Sequence, residues 1–224
     1  MVILAIKLFF APLFIILTYL IQRKFGARIS GAFLAVPFIV LPILGVIYLQ
    51  QGSQFLDEAI IGTYAGQFGL LLFITTYSHL AIRFPWPICV TAATFAFFVS
   101  VTIFGPLIHS LWQGIALWLV AWVVLMKNFV SYDRNSQLPR APKWDLWLRI
   151  ASALLLIFTI TQFAQDLGAH LSGAFAMYPV MTTIMSTFNH HRFGPNSSIA
   201  LLHGLTQYLV VAAILIFPLI ALLI

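Results

Sequence analysis

Lys7 and Arg149 lie well inside apolar runs of this 224-residue chain, 142 positions apart. A cation at that depth either snorkels to the headgroups or faces an anion inside the bundle. In the second case the two form cationic gates for an anionic substrate, aided by positive helix N-termini. His203, followed by Gly204, lies about two turns into an apolar run and is either a group titrating near neutrality or a satisfied core histidine. Gln67, Thr75, Thr76, Tyr178, Thr182, Thr183 and Gln207 are uncharged polar groups at similar depth, which line a path or join helices.

Other chemistries find little support. Asp57, Glu58 and Asp166 sit at segment ends, which argues against ion coupling through a buried carboxylate. No nucleophile–base–acid set or glycine-rich phosphate loop is present, so no catalytic residues are expected. An intramembrane lipid enzyme would have to assemble its site from Lys7, His203 and Tyr178. Cys89 is the only cysteine, and no Cys/His spacing resembles a zinc site, so neither metal nor cofactor is expected. His190-His191-Arg192 reads as a solvated turn or a headgroup contact.

The elements that must position these residues follow from composition. With 62% hydrophobic and 7% charged residues, most of the surface must face lipid. Backbone groups in hydrocarbon need internal partners, and long unbroken apolar runs exclude barrel alternation, so the fold class is all-α polytopic membrane protein. Gly, Pro and polar pauses divide the chain into eight segments, near 2–22, 30–50, 57–81, 87–104, 107–127, 145–165, 171–188 and 197–223. Most are close to the roughly 20 residues needed to cross a bilayer. The fourth and fifth are separated only at Gly105-Pro106.

Arg23, Lys24, Arg28, Arg83, Lys127, Arg134, Arg140, Lys143 and Arg192 then fall in connections on one face, and Asp57, Glu58 and Asp166 on the other. The positive-inside rule places both termini outside the cytoplasm. The net charge of +6 is thus explained by topology, with no nucleic-acid partner. The first apolar run ends in Gln22-Arg23-Lys24 without a small-residue cleavage site, and is expected to stay as a helix.

An offset of 142 overlays 25–37 on 167–179, with identity at Gly26/Gly168, Ala27/Ala169, Ser30/Ser172, Gly31/Gly173, Ala32/Ala174, Phe33/Phe175 and Pro37/Pro179. The same offset pairs Lys7 with Arg149, Gly52 with Gly194 and Gly62 with Gly204. Shared apolar composition does not explain matched Gly, Ser, Pro and basic positions, so the chain reads as a duplication. One membrane domain, 1–224, comprises repeat one (1–81), a linking pair (87–127), a cytoplasmic loop (128–144) and repeat two (145–224). Five spans separate equivalent segments, so three-helix repeats formed by segments 1–3 and 6–8 are inverted, an arrangement that builds many secondary transporters. Ser30-Gly31 and Ser172-Gly173 are expected to open segments 2 and 7, with breaks at Pro37 and Pro179 whose half-helix ends bind a ligand. The small residues also serve simple close packing.

Through Ile29-Ser-Gly-Ala-Phe-Leu-Ala-Val-Pro37 and Gly52, the first four segments resemble the small four-helix bacterial inner-membrane proteins of the GlpM type. The second half, from Trp144-Asp145 through His191-Arg192-Phe-Gly194, resembles larger double-motif bacterial membrane proteins. The resemblance implies a bacterial inner membrane and a loose link to exopolysaccharide production. The leading expectation is a small inverted-repeat transporter or flippase for an anionic solute or lipid phosphate; the alternative is a non-transporting scaffold in envelope polysaccharide assembly. Expected partners are membrane lipids and that anionic substrate, and a homodimer is compatible with the sequence. Candidate substrate-binding residues are Lys7, Arg149, Ser30, Gly31, Pro37, Ser172, Gly173, Pro179, Gln67, His203 and Gln207.

Overall fold

The computed structural model describes residues 2–38, 40–133, 142, 144–166 and 178–223, and every regular element among them is a helix. In chain order these are α1 (Val2–Phe25), α2 (Ala27–Leu34), α3 (Val40–Ala81), α4 (Trp86–Phe104), α5 (Leu111–Lys127), α6 (Trp144–Asp166), α7 (Val180–Phe193) and α8 (Pro195–Val211). A π-helical turn, Ala212–Ile216, leads from α8 into α9 (Phe217–Leu223).

Among the described residues four stretches are long and apolar enough to cross a membrane: Leu8–Phe25, Gly52–Ala81, Trp86–Leu107 and Pro195–Leu222. Val40–Gln50 and Leu111–Lys127 are shorter apolar helices. Large apolar side chains point outward around the bundle, among them Phe9, Leu49, Phe95, Val120, Leu155 and Leu222, as a lipid-facing surface requires. The chain is a helical membrane protein.

Helix boundaries follow local chemistry. Gly105-Pro106 ends α4 in a short 3₁₀ turn, and Ser110 then caps α5 by accepting from the Gln113 N–H at 3.3 Å. The Gln113 side chain closes the same turn, donating to the Leu107 carbonyl and accepting from the His109 N–H. Gly26, Gly52 and Gly194 each join two helices with almost no loop, at φ 89°, 83° and 83° and with ψ near 180°. That backbone region is essentially restricted to glycine, because a Cβ would clash with the chain.

Two expectations need correction here. The segment expected at 30–50 is two helices, α2 and the first part of α3, separated around Pro37. Ser30-Gly31 therefore lies in the middle of α2, whose start is set by Gly26. Segments two and three are also closer-coupled than expected, with Gly52 alone turning the chain between them.

Lipid tails are as apolar as leucine, so helix association here depends on close packing and interhelical hydrogen bonds. Helix α2 lies against α8 at a reciprocal glycine contact. A Cβ at Gly31 would overlap the Leu201 carbonyl, and one at Gly204 would overlap the Arg28 carbonyl. Nearby, Arg28 donates from Nε and Nη2 to Gln207 Oε1, at 3.1 and 2.7 Å, and Ser30 Oγ donates to the Thr18 carbonyl. Helix α3 packs on α4 by the same principle: Phe97 lies over Gly69, and Phe68 stacks on Phe104 at 5.0 Å. A second core, from Ala11, Ile15, Ala153, Ile157, Met181 and Ile184, joins α1, α6 and α7.

Candidate functional site

The two prolines of the repeated motif line one cavity. Its volume is about 240 Å³. Around Pro37 it is bounded by Leu34, Val36 and Phe38, and around Pro179 by Tyr178, Val180 and Met181. Helix α3 supplies Thr63, Gly66 and Gln67, α6 supplies Ile157 and Ile160, and Phe217 closes a further side. No charged side chain is among the described lining residues.

Each proline forces the local geometry that exposes the cavity. Proline lacks an N–H, so the helix cannot run through it with a complete hydrogen-bond ladder. At Pro37 the chain makes a three-residue turn, with the Phe38 N–H donating to the Val36 carbonyl at 2.8 Å. Helix α3 then restarts with the Leu41 N–H on the Pro37 carbonyl, 3.0 Å. At Pro179 the Val180 N–H donates to the Tyr178 carbonyl, and the Thr183 N–H to the Pro179 carbonyl, both at 2.9 Å. Pro179 has φ −81° and ψ 66°, the values of an inverse γ-turn.

The polar groups of the cavity differ in what they have left to offer. Thr63 Oγ1 donates to the Ile60 carbonyl at 2.6 Å. The Tyr178 hydroxyl is shared with Thr94, at 2.7 Å, and accepts from Thr183 Oγ1 at 3.1 Å. Gln67 is 8% exposed, and neither its Oε1 nor its Nε2 has a hydrogen-bond partner among the described residues. A buried carboxamide left in this state costs roughly 1–3 kcal/mol for each unmet group. The far side of Tyr64, one turn from Gln67, donates to the Ala213 carbonyl at 2.6 Å. That bond pins the π-helical turn just ahead of the cavity residue Phe217.

Arg149 lies elsewhere. It is fully buried, and its Nε donates to Asp145 Oδ2 at 2.8 Å. Its Nη1 donates to Asn189 Oδ1 at 3.2 Å, where Gln22 Nε2 also donates at 2.8 Å. Tyr19 and Phe188 flank the guanidinium, 5.6 and 5.1 Å away. Arg192 Nε is 3.3 Å from the other Asp145 oxygen, and its guanidinium stacks 4.1 Å above the Trp144 ring. The cluster therefore ties α1, α6 and α7 around a carboxylate.

This arrangement bears on two sequence expectations. Arg149, read from the sequence as either snorkelling or facing an anion, is buried in the bundle with its Nε on the resident carboxylate of Asp145. The His190-His191-Arg192 turn is not simply solvated: His190 is 8% exposed with Nδ1 3.4 Å from the Tyr77 hydroxyl, and Arg192 belongs to the ion-pair cluster. The four-residue spacing of Asp145 and Arg149 on one helix was a signal for the pair. Asn189 and Gln22 carried no such signal.

The described candidate residues thus separate into four places. Pro37, Pro179 and Gln67 meet at the cavity. Ser30, Gly31 and Gln207 belong to the crossing of α2 with its neighbours, and Arg149 to the ion-pair cluster. His203 packs beside Phe129 and Tyr132, with Nδ1 3.3 Å from the Tyr132 hydroxyl. The Lys7 side chain, Ser172 and Gly173 lie outside the described residues. Thr63 lies one turn from Gln67 on the same face of α3, a spacing that was the only signal for it. Among the described residues no group of three or more His, Cys, Asp or Glu side chains is arranged to hold a metal ion. Comparison with protein-family models, with curated proteins and with solved structures gives no match for this chain.

Proposed function

We propose that the chain is a small inverted-repeat transporter or flippase of a bacterial inner membrane, with its substrate site in the cavity between Pro37 and Pro179. The observation that carries this reading is the convergence on one cavity of two proline turns with the same hydrogen-bond pattern, at positions 142 apart. Secondary transporters place substrate between repeats at interrupted helices, because freed backbone groups and half-helix ends are available there. Gly52 and Gly194, equivalent under the same offset, share one unusual conformation, which adds support for a common ancestral unit. The contact of Gly31 with α8 joins one repeat to the other, as an interface that rocks during transport must.

The anionic substrate expected from Lys7 and Arg149 receives no support from the cavity, where no described side chain is cationic. The test of transport is access from both sides. Thr63 and Thr182, one from each repeat, are 5% exposed and line the cavity. Each is replaced by cysteine in a Cys89→Ala background and exposed to a membrane-impermeant maleimide in vesicles of either orientation. A transporter gives labelling from both sides, in proportions that shift when substrate is present. A scaffold gives labelling from one side or none.

A further inference from the structure

The cavity has the chemistry of a binding site for a neutral molecule. We propose that it takes an uncharged amphiphile, with an apolar body and one head group able both to donate and to accept a hydrogen bond, such as an alcohol or a primary amide, and that Gln67 holds the head. This rests on the same cavity as the transport reading but requires no movement of the protein.

Three observations carry the assignment. The walls are mostly apolar, from Phe14, Leu34, Ile43, Leu70, Ile157 and Phe217, so most of a ligand must be hydrocarbon-like. No charged side chain lines it among the described residues, and Arg149 lies elsewhere, paired with Asp145. An anion or a cation would therefore enter without a counter-charge, in a setting where unpaired charge is strongly disfavoured. Finally, Gln67 is more than nine-tenths buried and offers a free acceptor and a free donor, whereas the hydroxyls of Thr63 and Tyr178 are already engaged. A hydroxyl or amide head satisfies both Gln67 groups, which a purely apolar molecule leaves unmet. The volume of about 240 Å³ suits a small molecule or one short chain.

The experiment uses the purified full chain in nanodiscs, photolabelled with an octanol carrying an aliphatic diazirine, with adducts located by mass spectrometry. Adducts should map to 36–43, 63–70 and 178–182. n-Octanol should compete, while octanoate and octylammonium at equal concentration should not. Gln67→Leu and Gln67→Met should each reduce labelling about tenfold, the scale of one lost hydrogen bond to a buried group. Both variants should unfold at the same temperature as the parent or higher, because an unsatisfied amide has been removed. A lower unfolding temperature in both would make Gln67 a structural residue and overturn the proposal. So would octanoate competing as well as octanol, unchanged labelling in the variants, or adducts away from the cavity. If labelling behaves as expected while Thr63 and Thr182 prove accessible from one side only, the site stands and the transport reading falls.

Discussion

Pro37 and Pro179 sit at the centre of the same turn. In each, the N–H after the proline donates to the carbonyl before it, at 2.8 Å from Phe38 to Val36 and 2.9 Å from Val180 to Tyr178. The next helical bond is matched too, from Leu41 to Pro37 and from Thr183 to Pro179. If this turn shapes the cavity, replacing Pro37 or Pro179 with alanine lets the flanking helix extend and close it. Either variant should lower labelling by the photoactivatable octanol, with the two effects in the same direction. Full labelling in both would detach the turns from the site.

The glycine pivots give a prediction on stability. Gly52 and Gly194 have φ of 83°, so Gly52→Ala and Gly194→Ala should each destabilise the protein by about 1–3 kcal/mol in thermal or denaturant unfolding in detergent. Gly45 is the control, being inside a helix with nothing within 4 Å of an added Cβ. Gly45→Ala should be neutral or stabilising by up to about 1 kcal/mol. Equal effects at all three positions would show that strain at the pivots is not what limits substitution.

Close approach of α2 and α8 makes a sharper demand. Gly31→Leu and Gly204→Leu should prevent normal folding, because the new side chains meet backbone carbonyls that cannot move aside cheaply. Under the repeat, Gly173 and Gly62 correspond to Gly31 and Gly204. Among the described residues a Cβ at Gly62 meets nothing within 4 Å. Gly62→Leu should therefore keep the monodisperse peak on size-exclusion chromatography that Gly204→Leu loses, and equal loss in both would show that the crossing of α2 with α8 is not what limits substitution.

For the ion-pair cluster, Asp145→Asn leaves Arg149 buried without its carboxylate and should cost about 3–5 kcal/mol in unfolding experiments. Replacing both, as Asp145→Leu with Arg149→Met, should recover most of that loss. A stable Asp145→Asn protein would indicate that Arg149 finds a different counter-charge.

Much of this organisation was legible in the sequence because glycine and proline act locally. Pro37 interrupts a helix whatever packs around it, and the offset of 142 that aligned Pro37 with Pro179 also aligned Gly52 with Gly194, found here with the same backbone. The class of fold was legible because long unbroken apolar runs, without barrel alternation, leave the backbone no alternative to helix. Boundaries were less so. Ser30 resembles a helix-opening residue, yet Gly26 starts α2 because the positive φ there sets the turn. The ion-pair cluster was hidden for another reason: Gln22, Asp145 and Asn189 come from three helices, and their meeting depends on tertiary packing. Gln67 was visible as a polar residue at depth, but its lack of a partner among the described residues depends on tertiary packing, which leaves the neighbouring Thr63 and Tyr178 hydroxyls engaged by others.

The central claim is that the two halves are inverted copies meeting at the cavity, and the sidedness of two equivalent residues tests it most directly. Ser53 and Pro195 follow the matched pivots Gly52 and Gly194 and are both exposed. Each is replaced by cysteine in a Cys89→Ala background and labelled with an impermeant maleimide in sealed vesicles of known orientation. The account predicts labelling from opposite sides, Ser53→Cys from outside the cytoplasm and Pro195→Cys from within it. Labelling of both from the same side would contradict the inverted arrangement.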